Sequence, residues 1–569
     1  MKWPLVFWFA LASVCIARAG DRLDRALSHV PEESALIIVA PSLDKLVSGL
    51  AEFGGSIGVE RLRTLGPAKL LSELDVLERI NGLDPAGPLV IALEPTRLSP
   101  LLVCQVLDAE EWRTASGAQP ADGELWRVQM FGEPAYAASA GNLLIVGDEP
   151  DAVRSALRGS FDYAARFGPR ARAWLSDHQL VVAIRVPPWT GLISPMLGAG
   201  RTSLQLSMML AGQRDENLLR VVGWLFEQAE QLLGQVDTYT AAVRIDSAGV
   251  FFRDALSFAP DSAAAAYLKK VIKTDRDLLR GLVDDETVFV FAHEWELEPG
   301  TEGLNTAVVA ALLGSGTLRE RLGEEKFLPG YEALLAAYND ISGSCTAVSA
   351  RPAEPLLVFS AVQFSSRPQQ VLSNMRLAYE TMPEFLSALG GGASADVTCR
   401  AERIESIDAF ACEVSFAAPD EQSRRAIEML YGRTLTTYYA AQPVGLVSAT
   451  ASAERAAAQL VRMTSGKGRP LAENPRVRQV WARLSPRPQV LLLLDAAQAL
   501  DLVLRADRSG RTGTTAPAPD TSLPLVAYGG YLHGRTLCSE LCVPAEAAKQ
   551  IVKTIRSQKD AARGPGRQP

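Results

Sequence analysis

The sequence contains few of the residues on which most catalytic and metal sites depend. It has four histidines in 569 residues, His29, His178, His293 and His533, and they are far apart. It contains no H-E-x-x-H sequence, no paired C-x-x-C, no Walker loop and no strand-linked G-x-G-x-x-G. A Ser–His–acid triad needs only one histidine, so this scarcity does not exclude catalysis. No motif identifies a particular catalytic residue. We therefore predict no catalytic residue, no cofactor and no metal ligand, and the sequence favours a protein that is not an enzyme.

The sequence also lacks an excess of basic residues. Lys and Arg number 57 and Asp and Glu number 65, which gives a net charge of −8 and a pI near 5.4. A chain-wide nucleic-acid footprint would require a basic stripe, so we expect no nucleic-acid partner. Hydrophobic residues make up 48% and charged residues 21%, which is ordinary globular usage and excludes wholesale disorder, coiled coils and collagen-like structure.

No long hydrophobic run is present beyond the N-terminal region. The first nineteen residues have the features of an export signal: Lys2, the uncharged apolar run Leu5–Ile16 and the small-x-small sequence Ala17–Ala19. We place the cleavage before Gly20. Twelve apolar residues fall short of the ~20 that span a bilayer. We therefore expect an exported protein, periplasmic or extracellular, without a transmembrane span.

Six cysteines follow the predicted signal, an even number that permits disulfides in an exported protein. Residues 396–403 and 409–416 have the pattern of two strands around a short turn. Folding them back antiparallel places Cys399 opposite Cys412, within reach of a disulfide if the two residues form a non-hydrogen-bonded pair.

Cys538 and Cys542 are a different case because they lie four residues apart on one predicted strand. Their separation would be ~13 Å at the strand's rise per residue. That exceeds the reach of a disulfide. A zinc site is an alternative, but C-x-x-x-C without a second pair or a nearby histidine indicates it only weakly.

Internal similarity is the most informative feature of the sequence. Five segments recur in the same order: 30–39 with 283–292, 100–103 with 355–358, 135–146 with 436–447, 179–186 with 489–495, and 240–258 with 525–543. The second match is an identical Pro-Leu-Leu-Val. Ordered matches favour a duplication, with a first unit over residues 20–275 and a second over 280–556. Residues 557–569 are predicted to form a disordered tail, and 508–521 a disordered loop.

The pattern predicts an α+β protein. The strands group in hairpins followed by helices, whereas parallel βαβ repetition would need a long helix after every strand. We expect two related halves, each a mainly antiparallel sheet with helices packed on one face. The apolar segment 203–233, with a polar centre at 213–217, is predicted to form two helices. Core packing is favoured for them over membrane binding, because basic residues are few.

Two short motifs invite a chemical interpretation. Gly54–Gly58 matches G-x-S-x-G around Ser56, but a nucleophile elbow needs a preceding strand, and residues 43–53 are helix-like. We therefore expect these glycines to end a helix. In His293–Glu298, a strand would place three glutamates on one face, an arrangement that could bind calcium. A solvated face is the favoured interpretation.

The segments Val30–Leu36, Pro41–Leu46 and Gly82–Pro85 resemble those of large exported bacterial proteins of unknown function, of planctomycete type. The resemblance implies export and duplicated strand and helix units, and it brings no site residues. Two functions stay open. The first is a non-catalytic cell-envelope protein that binds or scaffolds an unknown envelope component or ligand. The second is an exported hydrolase whose site is not visible as a motif.

Overall fold

The computed structural model describes residues 21–67, 69–70, 82–96, 98–130, 132–210, 216–272, 276–298, 301, 306, 324–350, 354–381, 395–416, 421–484, 488–508 and 523–563. The predicted signal and, of the predicted loop at 508–521, all residues after Arg508 lie outside these residues. The chain forms two compact units. Unit 1 comprises the described residues up to Leu197, Glu230–Ser262 and Thr536–Cys538. Unit 2 comprises those of Gly198–Ala229, Ala263–Arg535 and from Ser539 onward. Each unit is thus made of several separate stretches of the chain, whereas the sequence predicted a single boundary between residues 275 and 280.

The strands are β1 Leu36–Ala40, β2 Leu89–Glu94, β3 Ser99–Gln105, β4 Gln119–Pro120, β5 Trp126–Met130, β6 Glu133–Ala140, β7 Leu143–Gly147, β8 Leu180–Arg185, β9 Val236–Asp246, β10 Gly249–Phe258, β11 Val271–Ile272, β12 Thr287–Glu294, β13 Glu296–Leu297, β14 Gly343–Ala350, β15 Leu357–Phe364, β16 Ala395–Ile404, β17 Ile407–Phe416, β18 Thr434–Gln442, β19 Gly445–Ala451, β20 Val490–Leu494, β21 Val526–His533 and β22 Thr536–Pro544.

The main helices are α1 Leu43–Ile57, α2 Glu60–Arg63, α3 Ala109–Ser116, α4 Pro150–Arg158, α5 Tyr163–Asp177, α6 Thr190–Leu210, α7 Glu216–Leu233, α8 Ala263–Lys269, α9 Glu324–Asn339, α10 Pro368–Thr381, α11 Glu421–Tyr431, α12 Ala453–Thr464, α13 Pro475–Trp481, α14 Ala496–Arg508 and α15 Ala545–Arg563. No helix within the described residues is long and apolar enough to cross a membrane.

Each unit contains an antiparallel sheet, and the predicted α+β class is confirmed. In unit 1 the strands lie in the order β4-β5-β6-β7-β3-β2-β1-β8-β9-β10. In unit 2 they lie in the order β16-β17-β18-β19-β15-β14-β12-β20-β21. The matched strands β1, β6, β7, β8 and β9 hold the positions in the first order that β12, β18, β19, β20 and β21 hold in the second. The identical Pro-Leu-Leu-Val sequences belong to the corresponding strands β3 and β15 but differ in their place along them, because residues 100–103 lie within β3 whereas Pro355 and Leu356 precede β15.

Helices lie on both faces of the unit 2 sheet rather than on one face as predicted. Ala411 of β17 packs into a core that contains Leu460 of α12. Its neighbours along the strand, Phe410 and Cys412, face the opposite way and pack with Val371 of α10. Because successive side chains of a strand point to opposite faces, this part of the sheet is the middle of three layers.

Unit 1 is built in the same way around β3 and β7. All five residues of β7 are buried, as a continuous apolar run predicts for a strand covered on both sides. Leu102 of β3 packs in one cluster with Trp112 of α3. On the other face, Gly147 lies close to Val153 of α4, whose methyl group would be 3.2 Å from a Cβ atom at that glycine.

The hairpin of β16 and β17 has the register that the sequence predicts. Cys399 pairs with Cys412, and the strands are joined by the tight turn Glu405–Ser406, where Glu405 has φ 52°. The C-terminal segment differs from the prediction, since α15 continues through Arg563 while the disordered tail was expected from Ser557. Adding residues to an existing helix costs little compared with starting one, which explains the extension. Residues 564–569 lie outside the described part.

Candidate functional site

A buried ionic cluster lies at the end of β12. Glu294 is on the core face of the strand, following Val288, Val290 and Ala292, and its side chain is fully buried. The Arg280 guanidinium donates to both of its carboxylate oxygens, with Nη2–Oε1 at 2.7 Å and Nη1–Oε2 at 3.0 Å. Two parallel bonds of this kind fix the relative geometry of the two groups.

Neighbouring groups complete the cluster. Arg276 Nη1 lies 3.3 Å from Glu294 Oε1, and its Nη2 lies 3.4 Å from Glu296 Oε2. The Ser342 hydroxyl donates to Glu294 Oε1 at 3.4 Å. The Arg280 guanidinium carbon also lies 3.5 Å from the centre of the Phe364 ring, a cation–π contact. With two arginines and two glutamates, the charges balance.

This geometry corrects the prediction of a solvated glutamate face. Glu294 belongs to the core, whereas the side chain of Glu296 is 36% exposed. The strand β12 ends at Glu294, so the alternation assumed for 293–298 does not continue through Trp295. Within the described residues, no group of three metal-ligating side chains comes together. The carboxylate of Glu294 is instead neutralised by guanidinium groups.

His293 faces away from Glu294 and makes a serine contact. Its Nε2 lies 3.1 Å from the hydroxyl of Ser344, the residue directly opposite it on β14. Burial lowers the pKa of His293, and the nearby Glu294 charge opposes that shift. Among the described residues, no carboxylate contacts the other ring nitrogen. A hydrolase needs a serine–histidine contact of this kind between nucleophile and base, but among the described residues no third group orients this histidine.

Ser56 is not placed as a nucleophile. It lies in the last turn of α1, which ends at Gly58 with φ 72°, and its hydroxyl donates to the Ser247 carbonyl at 3.2 Å. The expected helix end is therefore confirmed at Gly58, whereas Gly54 and Gly55 lie within the helix. Gly54 serves packing, because a Cβ there would lie 2.5 Å from Leu62 Cβ of α2.

The remaining histidines occupy separate places. His29 Nδ1 lies 2.7 Å from the Ala156 carbonyl. His178 is buried beside Trp174, whose carbonyl is 3.1 Å from its Nδ1, and burial lowers the pKa of His178. His533 is exposed at the end of β21. None of these positions brings a histidine to the Glu294 cluster.

Cys538 and Cys542 lie on one continuous strand, β22, and both are buried. The strand does not break between them. Two residues four apart on a continuous strand are too far apart for a disulfide, as the sequence indicated. The sequence also contains three consecutive glycines at residues 390–392, predicted to form a loop, and they lie outside the described residues.

Two further buried carboxylates pair with arginines in unit 2. Asp285 accepts from Arg462 at 2.7 Å, and Asp495 accepts from Arg476 Nη2 at 2.5 Å. Arg476 also borders a cavity of about 10 Å³. That volume is close to the minimum for one water molecule.

The helices α6 and α7 expose apolar side chains, contrary to the prediction of core packing. None of the described side chains of either helix is fully buried. We define the hairpin surface as the four exposed residues of α6: Leu192 (49% exposed), Met196 (65%), Leu204 (44%) and Leu206 (55%). On α7, Leu225 and Leu232 are exposed as well. The helices do contact each other, as Arg201 of α6 lies 3.4 Å from Glu227 of α7.

No protein-family model and no curated protein matches this chain. It is similar to the solved structure of TP0453 in crystal form IV, with a TM-score of 0.23 and 8% identity. The match covers 41% of this chain and 79% of that one. Crystal form I of TP0453 gives a TM-score of 0.21 and 10% identity over 42% and 79% of the two chains. Scores this low carry no argument about fold or function.

The sequence did not lead us to predict the Glu294 cluster, although the alternation of residues before Glu294 indicates its burial. A glutamate that continues the alternation of three apolar core-facing residues must be buried and therefore needs a cation. Arg276 and Arg280 lie on the segment just before β12, and their proximity to Glu294 depends on how that segment folds back. The hairpin surface escaped because apolar periodicity indicates an apolar face but not what covers it.

Proposed function

We propose that this chain is an exported cell-envelope protein that binds a partner without catalysing a reaction, and that the partner is a lipid bilayer surface. The observation that carries the proposal is the hairpin surface. Isolated exposed apolar residues are common, but four large ones along one helix are typical of a surface that binds another apolar phase.

The width of the apolar arc supports a lipid partner over a protein groove. At about 100° per residue, Leu192, Met196, Leu204 and Leu206 spread over roughly 160° around α6. A helix packed against a single neighbour presents a stripe of about 100°. A fluid acyl phase can contact a wider arc, because lipid chains adapt to the helix.

The charge of α6 sets the expected mode of binding. Arg201 is the one charged residue among its 21 residues, and it pairs with Glu227. Attraction to anionic headgroups therefore contributes little, and burial of apolar area provides most of the binding energy. The helix would lie in the interface, in agreement with the absence of a spanning helix among the described residues.

Vesicle flotation tests this function with the whole mature protein. We expect it to float with uncharged phosphatidylcholine vesicles, with little change at high salt. The double variant Met196→Glu, Leu206→Glu should reduce partitioning by roughly 100-fold, since each exposed apolar side chain contributes about 1.5 kcal/mol or more when buried. Leu107→Glu is the matched control, because Leu107 is 64% exposed outside the hairpin.

Two results would overturn the proposal. The first is a wild-type protein that stays with the soluble fraction at all lipid concentrations. The second is self-association of the protein, measured by light scattering, that the same double variant abolishes. In that case the partner of the hairpin surface would be a second copy of the chain.

The hydrolase alternative has one specific observation in its favour, the 3.1 Å contact of His293 Nε2 with Ser344. Screening ester, peptide and glycoside substrates with the Ser344→Ala variant tests it. Turnover in the wild type that disappears in this variant would establish the hydrolase. The Ser56→Ala variant is the control, since Ser56 sits at a helix end and should not affect any activity.

Export and duplication form part of the proposal. Export is supported by the sequence of residues 1–19 and is tested by determining the mature N-terminus, which we expect at Gly20. Duplication is supported by the matching strand orders of the two units. Retention of Leu5–Ile16 in a membrane-bound product would contradict the export part alone.

A further inference from the structure

Two thiols face each other across the β16–β17 hairpin. Cys399 and Cys412 are directly paired in the register, and their sulfur atoms are 2.7 Å apart. Directly opposite residues in an antiparallel pair have Cα atoms about 4.5 or 5.5 Å apart. Both spacings fall within the range that a disulfide requires. The register therefore gives the two residues the Cα spacing of a disulfide, while their sulfur atoms, 2.7 Å apart, are those of two free thiols.

The two thiols differ in their access to solvent. Cys412 is 3% exposed and packs in a cluster with Met375 and Phe410. Cys399 is half-buried at the edge of the same cluster, on the outermost strand β16. An external reagent can therefore approach the sulfur of Cys399, while the sulfur of Cys412 is reached through Cys399.

We propose that Cys399 and Cys412 form a thiol–disulfide exchange site, in which Cys399 reacts with a small external disulfide and Cys412 resolves the product. This inference is independent of membrane binding. It assigns separate roles to the two thiols, which their pairing alone does not.

The exchange takes place in two steps that balance. The Cys399 thiolate attacks one sulfur of glutathione disulfide, the sulfur–sulfur bond breaks, and one glutathione leaves. Cys412 then attacks the Cys399 sulfur, forms the protein disulfide and releases the second glutathione. The two protons of the protein thiols end on the two glutathiones. The protein is oxidised by two electrons and glutathione disulfide is reduced.

Electrostatics supports the same order of attack. The hydrogen bond from the Cys412 thiol lowers the pKa of Cys399, while that same bond and burial raise the pKa of Cys412. The thiolate is the nucleophile in exchange, so Cys399, the more accessible thiol, is also the one that ionises more readily.

The test follows the reaction of the purified full chain with glutathione disulfide by mass spectrometry. In the wild type we expect one disulfide, mapped to Cys399 and Cys412. In Cys412→Ser the reaction should stop at one glutathione on Cys399. In Cys399→Ser, glutathione should add to Cys412 at least about tenfold more slowly than it adds to Cys399 in Cys412→Ser. Cys104, which is 2% exposed and whose pKa burial raises to about 12, serves as the internal unreactive thiol.

The hydroxyl of Cys412→Ser lies in an apolar cluster, so Cys412→Ala is examined in parallel, and circular dichroism checks the fold of each variant. Equal rates of addition to Cys399 and Cys412 in the single variants would overturn the assigned roles. Free alkylation of both thiols in the wild type after exposure to glutathione disulfide would overturn the site itself.

Discussion

Glu294 shows how a single charged residue is tolerated in the core of this protein. An isolated buried carboxylate would be strongly destabilising, but this one accepts bonds from Arg280 and lies beside Arg276. The partly exposed arginines keep contact with water, with side chains 20% and 55% exposed. The desolvation cost therefore falls mainly on Glu294. Such a pair gives little net stability, yet breaking it leaves an uncompensated charge.

At this scale we predict that Glu294→Gln lowers the free energy of unfolding by about 3 kcal/mol. The neutral amide cannot balance the charge of the two guanidinium groups. Its NH2 group would also lie opposite a guanidinium N–H, which places two hydrogen-bond donors against each other. Glu296→Gln is the control, because Glu296 is 36% exposed and contacts Arg276 alone among the arginines of the cluster. Its cost should be at most about 1 kcal/mol.

Urea unfolding of both variants measures these changes. Equal, small effects in the two variants would mean that the Glu294 cluster is solvated in solution and that the buried ion pair does not exist there.

At the scale of elements, the apparent hydrolase motif is explained by helix packing. Gly54 allows α2 to approach α1, and Gly58 ends α1 in the left-handed conformation. Gly55 has no atom near the position of a Cβ, and it is exposed. Of the three glycines, Gly54 is therefore required for packing and Gly58 for the helix end, whereas the structure does not require a glycine at Gly55.

We predict opposite effects for two adjacent substitutions in this motif. Gly54→Ala should destabilise the protein by about 1–3 kcal/mol, since its methyl group would lie 2.8 Å from the Arg63 backbone nitrogen. Gly55→Ala should stabilise it by about 0.5–1 kcal/mol, because alanine is the better helix former and the site is open. Thermal unfolding of the two variants side by side gives the comparison. A stabilised Gly54→Ala would show that α2 does not pack against α1.

At the scale of the whole molecule, the two units repeat one succession of strands. In unit 1, β3 pairs with β7 and β1 with β8. The corresponding strands of unit 2 pair in the same way, β15 with β19 and β12 with β20, and all four pairs are antiparallel. Nine adjacent positions in the same order are difficult to obtain from unrelated antiparallel sheets. This agreement in strand order, rather than the short identical sequence, is the observation behind the proposed duplication.

We predict that an experimental structure will superpose the two sheets with Ile37 on Val290. Ile37 pairs with Ala92 and Ala183, and Val290 pairs with Ala347 and Leu493, so one alignment should match all three strands at once. A best superposition that is shifted by one residue would contradict the duplication, because such a shift turns every side chain to the other face.

The sequence by itself determined the features that depend on local spacing. It placed Cys399 opposite Cys412, because hairpin register follows from the turn and the alternation of side chains. It also identified the helix that ends at Gly58 and the α+β class. These results require only neighbouring residues along the chain.

Tertiary structure alone decided what lies against each face. The second helical layer over Phe410, the arginines at Glu294 and the exposure of Leu206 all depend on segments distant in sequence. Periodicity marks a face as apolar, but the same apolar face can be buried by a helix or left for a partner. Burial is a property of the packed chain, so it could not be obtained from the pattern of residues along a single element.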